Sequence, residues 1–177
     1  MSVEALLDAV RDRIRDACRY ADDQCDVQPD GSPPPDAGEV YVSVHPQGFR
    51  NEDDYAHALN EVVEIGVTLT MRAAWLPVDR QGNQMVAKAS TGLYARAEAI
   101  RAAVHMDYVS MNAANTTIGA SENGFVEPLK FRSCSAPQLK GPDWFNAEGQ
   151  GGEPAAGWAV ELQFGGARRV QVIEEQS

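Results

Sequence analysis

Residues 59–75 read Leu59-Asn60-Glu61-Val62-Val63-Glu64-Ile65-Gly66-Val67-Thr68-Leu69-Thr70-Met71-Arg72-Ala73-Ala74-Trp75, and this run decides the fold. Leu59, Val63, Ile65, Val67, Leu69, Met71 and Trp75 share one parity, while Asn60, Glu64, Thr68, Thr70 and Arg72 share the other. Successive side chains of a strand point to opposite faces, so this alternation predicts one dry face and one face that is wet or turned to a partner. The run from about Asn60 to Trp75 exceeds the common strand of about five or six residues, so part of it is expected to project past its sheet.

Working toward the N-terminus, Val40, Val42 and Val44 alternate with Tyr41 and Ser43, which predicts a strand over Glu39–His45 that Pro46-Gln47-Gly48 stops. The segment Gln47–Ala58, with Arg50-Asn51-Glu52-Asp53-Asp54-Tyr55, then joins the two strands by more than a tight turn. Asp26–Gly38 contains Asp30-Gly31 and Pro33-Pro34-Pro35 and reads as a stiff linker that sets the exit angle of the preceding element; a Pro-rich peptide ligand is the other use of such text. Before it, Val3, Leu6, Leu7, Val10, Ile14, Ala17, Cys18 and Ala21 recur at helical spacing, with Ser2 placed as N-cap. The opposite face of that helix alternates Asp8, Arg11, Asp12, Arg13, Arg15, Asp16 and Arg19, offering pairs Asp8/Arg11, Asp12/Arg15 and Asp16/Arg19. Such a face is either solvated or a contact between subunits.

Toward the C-terminus, Leu76–Gly92 reads as a mobile polar loop, and a second helix begins near Leu93 with the seam Leu93, Ala97, Ile100 and Val104. Ser110–Gly124 reads as an extended loop, Phe125–Cys134 as a strand that Pro128 pushes to an edge, and Gly149–Gly157 as a flexible connection. Trp158, Val160, Leu162 and Phe164 mark a further strand, Gly165-Gly166 a turn or bulge, and Arg168–Ile173 a short final strand. The expectation is one α+β domain over 1–177: a helix (1–22), a Pro-rich linker (26–38), core strands and helix (39–107), a loop-rich insertion with a strand (108–157) and C-terminal strands (158–173). Its sheet is expected to be mainly antiparallel, with about four to five strands packed against two helices.

The chain has 177 residues, of which 44% are hydrophobic and 7% aromatic, enough for one core. With 15 Lys and Arg against 26 Asp and Glu, the net charge of −11 argues against binding nucleic acid or an anionic membrane through a basic face. No window has the roughly 20 apolar residues of a membrane span, and Met1–Asp8 lacks the basic and apolar regions of a signal peptide, so a cytoplasmically made, soluble protein is expected. Cys18, Cys25 and Cys134 have neither disulfide nor zinc spacing and read as reduced, mostly buried thiols.

No motif carries chemistry. His45, His57 and His105 form no HExxH arrangement, and His45 reads as a surface or hydrogen-bonded side chain. His57 and Glu61 would meet only on a helix, which the alternation contradicts. Glu52-Asp53-Asp54 lacks the spacing of a calcium loop, and Gly149-Gln150-Gly151-Gly152 lacks the Lys-Ser of a phosphate loop. Ser133-Cys134-Ser135 lacks a nucleophile turn, and Asn115-Thr116-Thr117 is a glycosylation sequon without secretory context. Trp75, Trp144 and Trp158 read as core or interface anchors. No catalytic residue, cofactor or metal ligand is therefore assigned.

The helix Met1–Tyr20, the strand Val40-Tyr41-Val42-Ser43-Val44, the long strand Val62–Arg72, the helix Leu93–Val104 and the closing strand Trp158–Phe164, in that order, resemble the tail terminator (tail completion) proteins of long-tailed bacteriophages. The resemblance covers about Met1–His105 and Trp158–Val172; Ser110–Gly157 is longer and richer in Gly, Pro and Trp than a minimal member. It implies a non-enzymatic virion subunit, assembled in the host cytoplasm, that closes with copies of itself into a ring, usually of six. That ring ends the tail tube and joins it to the head-tail connector or stopper, with no cofactor and no membrane. Candidate contact residues are Arg72, Trp75, Asp79 and Arg80 around the end of the long strand, and Trp144 and Phe145 in the insertion. Six copies carry 6 × (−11), or −66, so the lumen is expected to be acidic and to pass DNA without binding it. A head-tail stopper or other neck protein is the nearest alternative; a small cytoplasmic enzyme and a host adaptor that binds a partner strand come from other classes.

Overall fold

In the computed structural model, which describes residues 2–55, 58–72, 80–81, 92–119, 124–145 and 156–171, the long strand is the middle of the sheet. In chain order the elements are α1 (Ser2–Cys18), β1 (Cys25–Val27), β2 (Val40–Tyr55), β3 (Ala58–Arg72), α2 (Leu93–Val104), α3 (Tyr108–Ile118), β4 (Lys130–Cys134), β5 (Gln138–Lys140) and β6 (Gly157–Gln171). The strand order is β1-β2-β3-β6-β4, with β5 also on β6; β1 runs parallel to β2 and all other pairs are antiparallel. The α+β class and the antiparallel sheet are as expected, with six strands and three helices among the described residues. None of the described helices is long and apolar enough to cross a membrane.

The odd parity of β3 builds the core. Leu69 pairs with Val42 on one side and Val160 on the other, Val67 with Val44 and Leu162, and all six are buried. Stacked apolar rows of this kind are the unit of sheet stabilisation. Leu6, Leu7, Val10 and Ile14 of α1 and Leu93, Ala97, Ile100 and Val104 of α2 belong to the same buried cluster. Ala17 and Ala21, expected on the apolar stripe, are exposed, Ala21 because α1 already ends at Cys18; Ala5 is buried instead. Ser2 is the first residue of the helix and not a cap preceding it.

The charged face of α1 is largely bound to its own chain. Arg11 meets Asp8 at 2.7 Å, as expected, but also Asp12 at 3.0 Å and Asp26 of β1 at 3.5 Å. Arg15 pairs with Asp22 at 3.3 Å and donates to the Cys25 carbonyl at 2.8 Å, and Arg13 reaches the buried Asp107 at 3.3 Å.

Four elements differ from the sequence reading, each for a local reason. Cys25–Val27, placed at the edge of a linker, pairs with Val42–Val44 as the parallel strand β1. β2 does not stop at Pro46; Gln47 is left unpaired in a bulge, and pairing resumes and continues until Tyr55 faces Ala58. A proline is tolerated beside such a bulge, and Gly48 supplies the positive φ of 108° that follows. Ser110–Gly124 is not a loop throughout, since α3 occupies Tyr108–Ile118. The Asp107 carboxylate accepts from the Ser110 backbone N–H at 3.0 Å and from its hydroxyl at 2.7 Å, and Gly119 at φ 62° closes the other end. Lastly, β6 runs straight through Gly165-Gly166, which pair with Glu64 and Val63. These glycines admit an overlying segment: a Cβ at 166 would stand 3.2 Å from Leu129 and 3.3 Å from the Glu127 carbonyl.

Phe125 is an isolated bridge to Arg168, and the strand expected from it begins at Lys130. The Asn115 amide holds Phe125 by both backbone groups, donating to its carbonyl at 2.9 Å and accepting from its N–H at 2.8 Å. The amide of the sequon is thus committed to the fold.

Candidate assembly surface

At Thr68 and Thr70 the even parity of β3 does not face water, whereas Glu64 of the same parity is part-exposed and pairs with Arg50 at 3.2 Å. Tyr41, Ser43, His45, Thr68, Thr70 and Ala159 are all buried, the face being covered by residues 28–37 and by residues 141–145, which follow the edge strand β5. The first was read as a spacer, yet Gly31, Pro33 and Ala37 are buried in it. It is pinned to the sheet by Ser43 donating to the Ser32 carbonyl at 3.2 Å and by Gln28 donating to the Tyr41 hydroxyl at 2.9 Å. A side chain at Gly31 would collide with Thr68, which is why the cover can lie so close.

Beneath these covers a polar cluster forms. His45 Nε2 lies 3.0 Å from the Thr68 hydroxyl and 3.9 Å from the Glu161 carboxylate. Glu161 also accepts from Gln47 at 2.7 Å and from Gln163 at 3.2 Å. Its backbone is paired with Ser135, whose N–H donates to the Glu161 carbonyl at 2.8 Å and whose hydroxyl accepts from the Glu161 N–H at 2.9 Å. Burial pushes the His45 pKa down, against the smaller opposing pull of Glu161, so the imidazole is neutral at pH 7. The adjoining cavity, lined by Thr68, Ser135, Trp144 and Glu161, measures about 40 Å³. A space of that size suits one water molecule and not a substrate. His105 is likewise engaged, its Nδ1 accepting from the Phe131 N–H at 3.0 Å. His57 lies outside the described residues. The cysteines are free thiols; Cys25 is buried and its pKa is pushed up to about 12 by desolvation, while Cys18 and Cys134 are half-buried and raised for the same reason. Among the described residues no three His, Cys, Asp or Glu gather as metal ligands.

The structure brings three of the six candidate contact residues together at one end of the sheet. The Arg72 guanidinium stands 5.1 Å over the Phe145 ring and donates to the Ala37 carbonyl at 3.2 Å. Phe145 is 1% exposed and packs against Gly157, so its ring is used inside the subunit and is not free for a neighbour. Trp144 donates to the Thr70 hydroxyl at 3.3 Å and lies 4.2 Å under the Lys140 ammonium. Arg80 is exposed in a turn, and Trp75 and Asp79 lie outside the described residues.

The opposite end of the sheet is where sequence reasoning placed only a connection. β2, β3 and β6 are 15 or 16 residues long, roughly 50 Å at about 3.3 Å per residue, and their halves beyond Pro46, Ile65 and Phe164 continue together to this end. β1 covers β2 only over Val42–Val44, and among the described residues no strand pairs with the outer edge of β2 beyond them. Phe49 is 63% exposed on this arm, with Arg168 at 5.6 Å over its ring and Glu61 2.9 Å from the same guanidinium. An open edge and an exposed aromatic ring can add a strand and bury an apolar anchor at a protein contact. The signal for the arm was present in the apolar Phe49 and in the length of β3, but the Pro46-Gln47-Gly48 text masked it. Compared with known protein families and with curated proteins, the chain matches none.

Proposed function

We propose that this chain is a structural subunit of a bacteriophage tail or neck, which closes into a ring, usually of six copies, that ends the tail tube and meets the head-tail connector. The observation that carries the reading is the arm: three paired strands of 15 or 16 residues, with no strand on the outer edge of β2 beyond Val44 among the described residues and with Phe49 exposed. A heterologous contact that uses such an edge closes into a ring when its rotation permits. The order of helix, strand, long strand, helix and closing strand supports the same reading. So does the polar cluster, whose groups are occupied with one another around a cavity of about 40 Å³. The net charge of −11 per copy supports an acidic lumen through which DNA passes unbound.

Native mass spectrometry of the purified chain with tail-tube protein, followed by electron microscopy of particles from a deletion mutant, tests this. A closed ring and overlong tails are the expected results. Tails of normal length that lack heads would instead favour the stopper role, and a stable dimer with no ring, or a ring with a basic lumen, would overturn the proposal.

A further inference from the structure

The outer edge of β2 is matched by a second edge across the sheet, where β4 and β5 lie end to end along β6 and, among the described residues, no strand pairs beyond them. His105 takes the Phe131 N–H at 3.0 Å, which leaves this edge open from Arg132 to Cys134. Beside it, between β4 and α2, lies a pocket of about 140 Å³ lined by the buried Ala97 and Leu162, the half-buried Phe131 and Cys134, and the exposed Glu98 and Arg101. An apolar cavity of about 150 Å³ accommodates a benzene ring. The Arg101 guanidinium stands 4.2 Å over the Phe131 ring, so an aromatic side chain entering the pocket would meet a ring and a cation together.

The two edges fit each other in face, direction and charge. Phe49 pairs with Val63, while Phe131 pairs with Phe164, which pairs with Ile65. Val63 and Ile65 share one parity of β3, so Phe49 and the pocket lie on the same, helical face of the sheet. Within one chain they are kept apart by β3 and β6, roughly 14 Å for three strand spacings of about 4.8 Å, so a copy does not fill its own pocket. β2 and β4 run in opposite directions, and a sheet continued head to tail from one copy to the next therefore sets them antiparallel without turning either face over. With Phe49 at the pocket, that course carries the following Glu52-Asp53-Asp54 toward Arg132 and Lys130. Opposite charges across paired strands attract, and at −11 per copy the chains repel one another unless such a local match opposes it. Lys130 already meets Glu127 at 3.0 Å, but an exposed pair of that kind is worth little and is readily exchanged.

We propose that copies of this chain join by seating Phe49 of one copy in the pocket between β4 and α2 of the next, with the edges of β2 and β4 paired antiparallel. The contact uses different surfaces on its two sides, so each copy keeps one of each for a further neighbour, as a ring requires. It deepens the ring reading and rests on it for the neighbour being a second copy.

Sedimentation of the full-length chain over a range of concentrations tests it. Phe49→Ser, a change at an exposed residue, should weaken self-association at least about tenfold, the order expected when an aromatic side chain loses its burial. The double variant Arg101→Glu with Arg132→Glu, both at exposed positions, should do the same from the other side. An equal mixture of the two variants should form a one-to-one pair, because each supplies the surface that the other lacks. Phe49→Cys under mild oxidation with copper phenanthroline should give a disulfide to Cys134 of the partner subunit, identified by mass spectrometry of the digest, since that bond needs Cα atoms within about 7 Å. Wild-type association in either variant, a mixture that does not pair, a link between two position-49 thiols or within one chain, or a wild-type chain that stays monomeric up to its solubility limit while the groove takes up a different protein or none, would each overturn the proposal. A closed ring without the link from position 49 to Cys134 would sink this contact and leave the functional reading. Linked copies that run on as open filaments would sink the functional reading and leave the contact.

Discussion

Leu69 lies between Val42 and Val160 on one face of the sheet; its neighbour Thr68 lies between Ser43 and Glu161 on the other. Both are buried, at 0% and 2% exposure, yet they are buried in different ways. The helical face is closed by apolar area, which is non-directional and tolerates small shifts. The second face is closed by hydrogen bonds and by glycines that let a cover segment approach, which demand particular partners at particular distances. A polar alternation in a strand thus need not signal water or a partner when the same chain returns to cover it.

Substitutions can break this comparison on each side. Leu69→Ala should have the largest effect, because it removes a fully buried side chain between two packed rows; a loss of about 2–5 kcal/mol is expected in urea denaturation. Gly66→Ala challenges the second face. A Cβ there would stand 2.6 Å from His45 Nε2 and 2.7 Å from Gln47 Nε2, so the cluster must shift, at a cost of about 1–3 kcal/mol by the same measurement. Thr68→Val keeps the shape and removes the hydroxyl that meets His45, and should cost about 1–2 kcal/mol; a neutral result would show that the cluster contributes little beyond its packing.

The smallest effect concerns pH. His45 is held neutral, with its folded pKa below the ordinary value of 6.5, so the unfolded chain binds more protons in the window beneath 6.5. Stability from this group is therefore complete above 6.5 and falls as the pH drops from there through the folded pKa. Glu161 and Asp30, which face the imidazole, act in the opposite direction and limit the size of the slope. The slope of stability between pH 7 and 5 should flatten in His45→Gln, and an unchanged slope would assign the pH dependence to other groups.

Much of the helical face was legible in the residues. The seam of Leu93, Ala97, Ile100 and Val104 is buried as a unit, and the parity of β3 and of Trp158–Phe164 reappears in the sheet. Periodic apolar text is a local signal, and burial against one smooth layer preserves it. α3 escaped because only Ser110 and Ala114 of its residues are buried, which leaves little contrast along its Asn, Ala and Thr text; the Asp107 and Ser110 cap was the readable sign. The arm escaped because Pro46 and Gly48 are stop signals by local rules, whereas a bulge lets pairing resume beyond them. Of the contact candidates, Arg72 is joined to Phe145 and Trp144 to the sheet, and the exposed Phe49 was not among them.

By itself, then, the sequence determined which stretches are strands and helices wherever one apolar row repeats, and which parity of β3 enters the core. It determined the charge balance as well. Only the tertiary structure decided what the polar parity faces, because His45 meets Thr68, and Gln47 meets Glu161, across separations in the chain that no local period encodes. The same holds for Gly165 and Gly166, whose text reads as a turn until Arg132 is laid against the first and Glu127 and Leu129 against the second. It holds also for Arg96, one charge among many in the text, whose Nε becomes an unmet donor only when α2 is packed beside Tyr20.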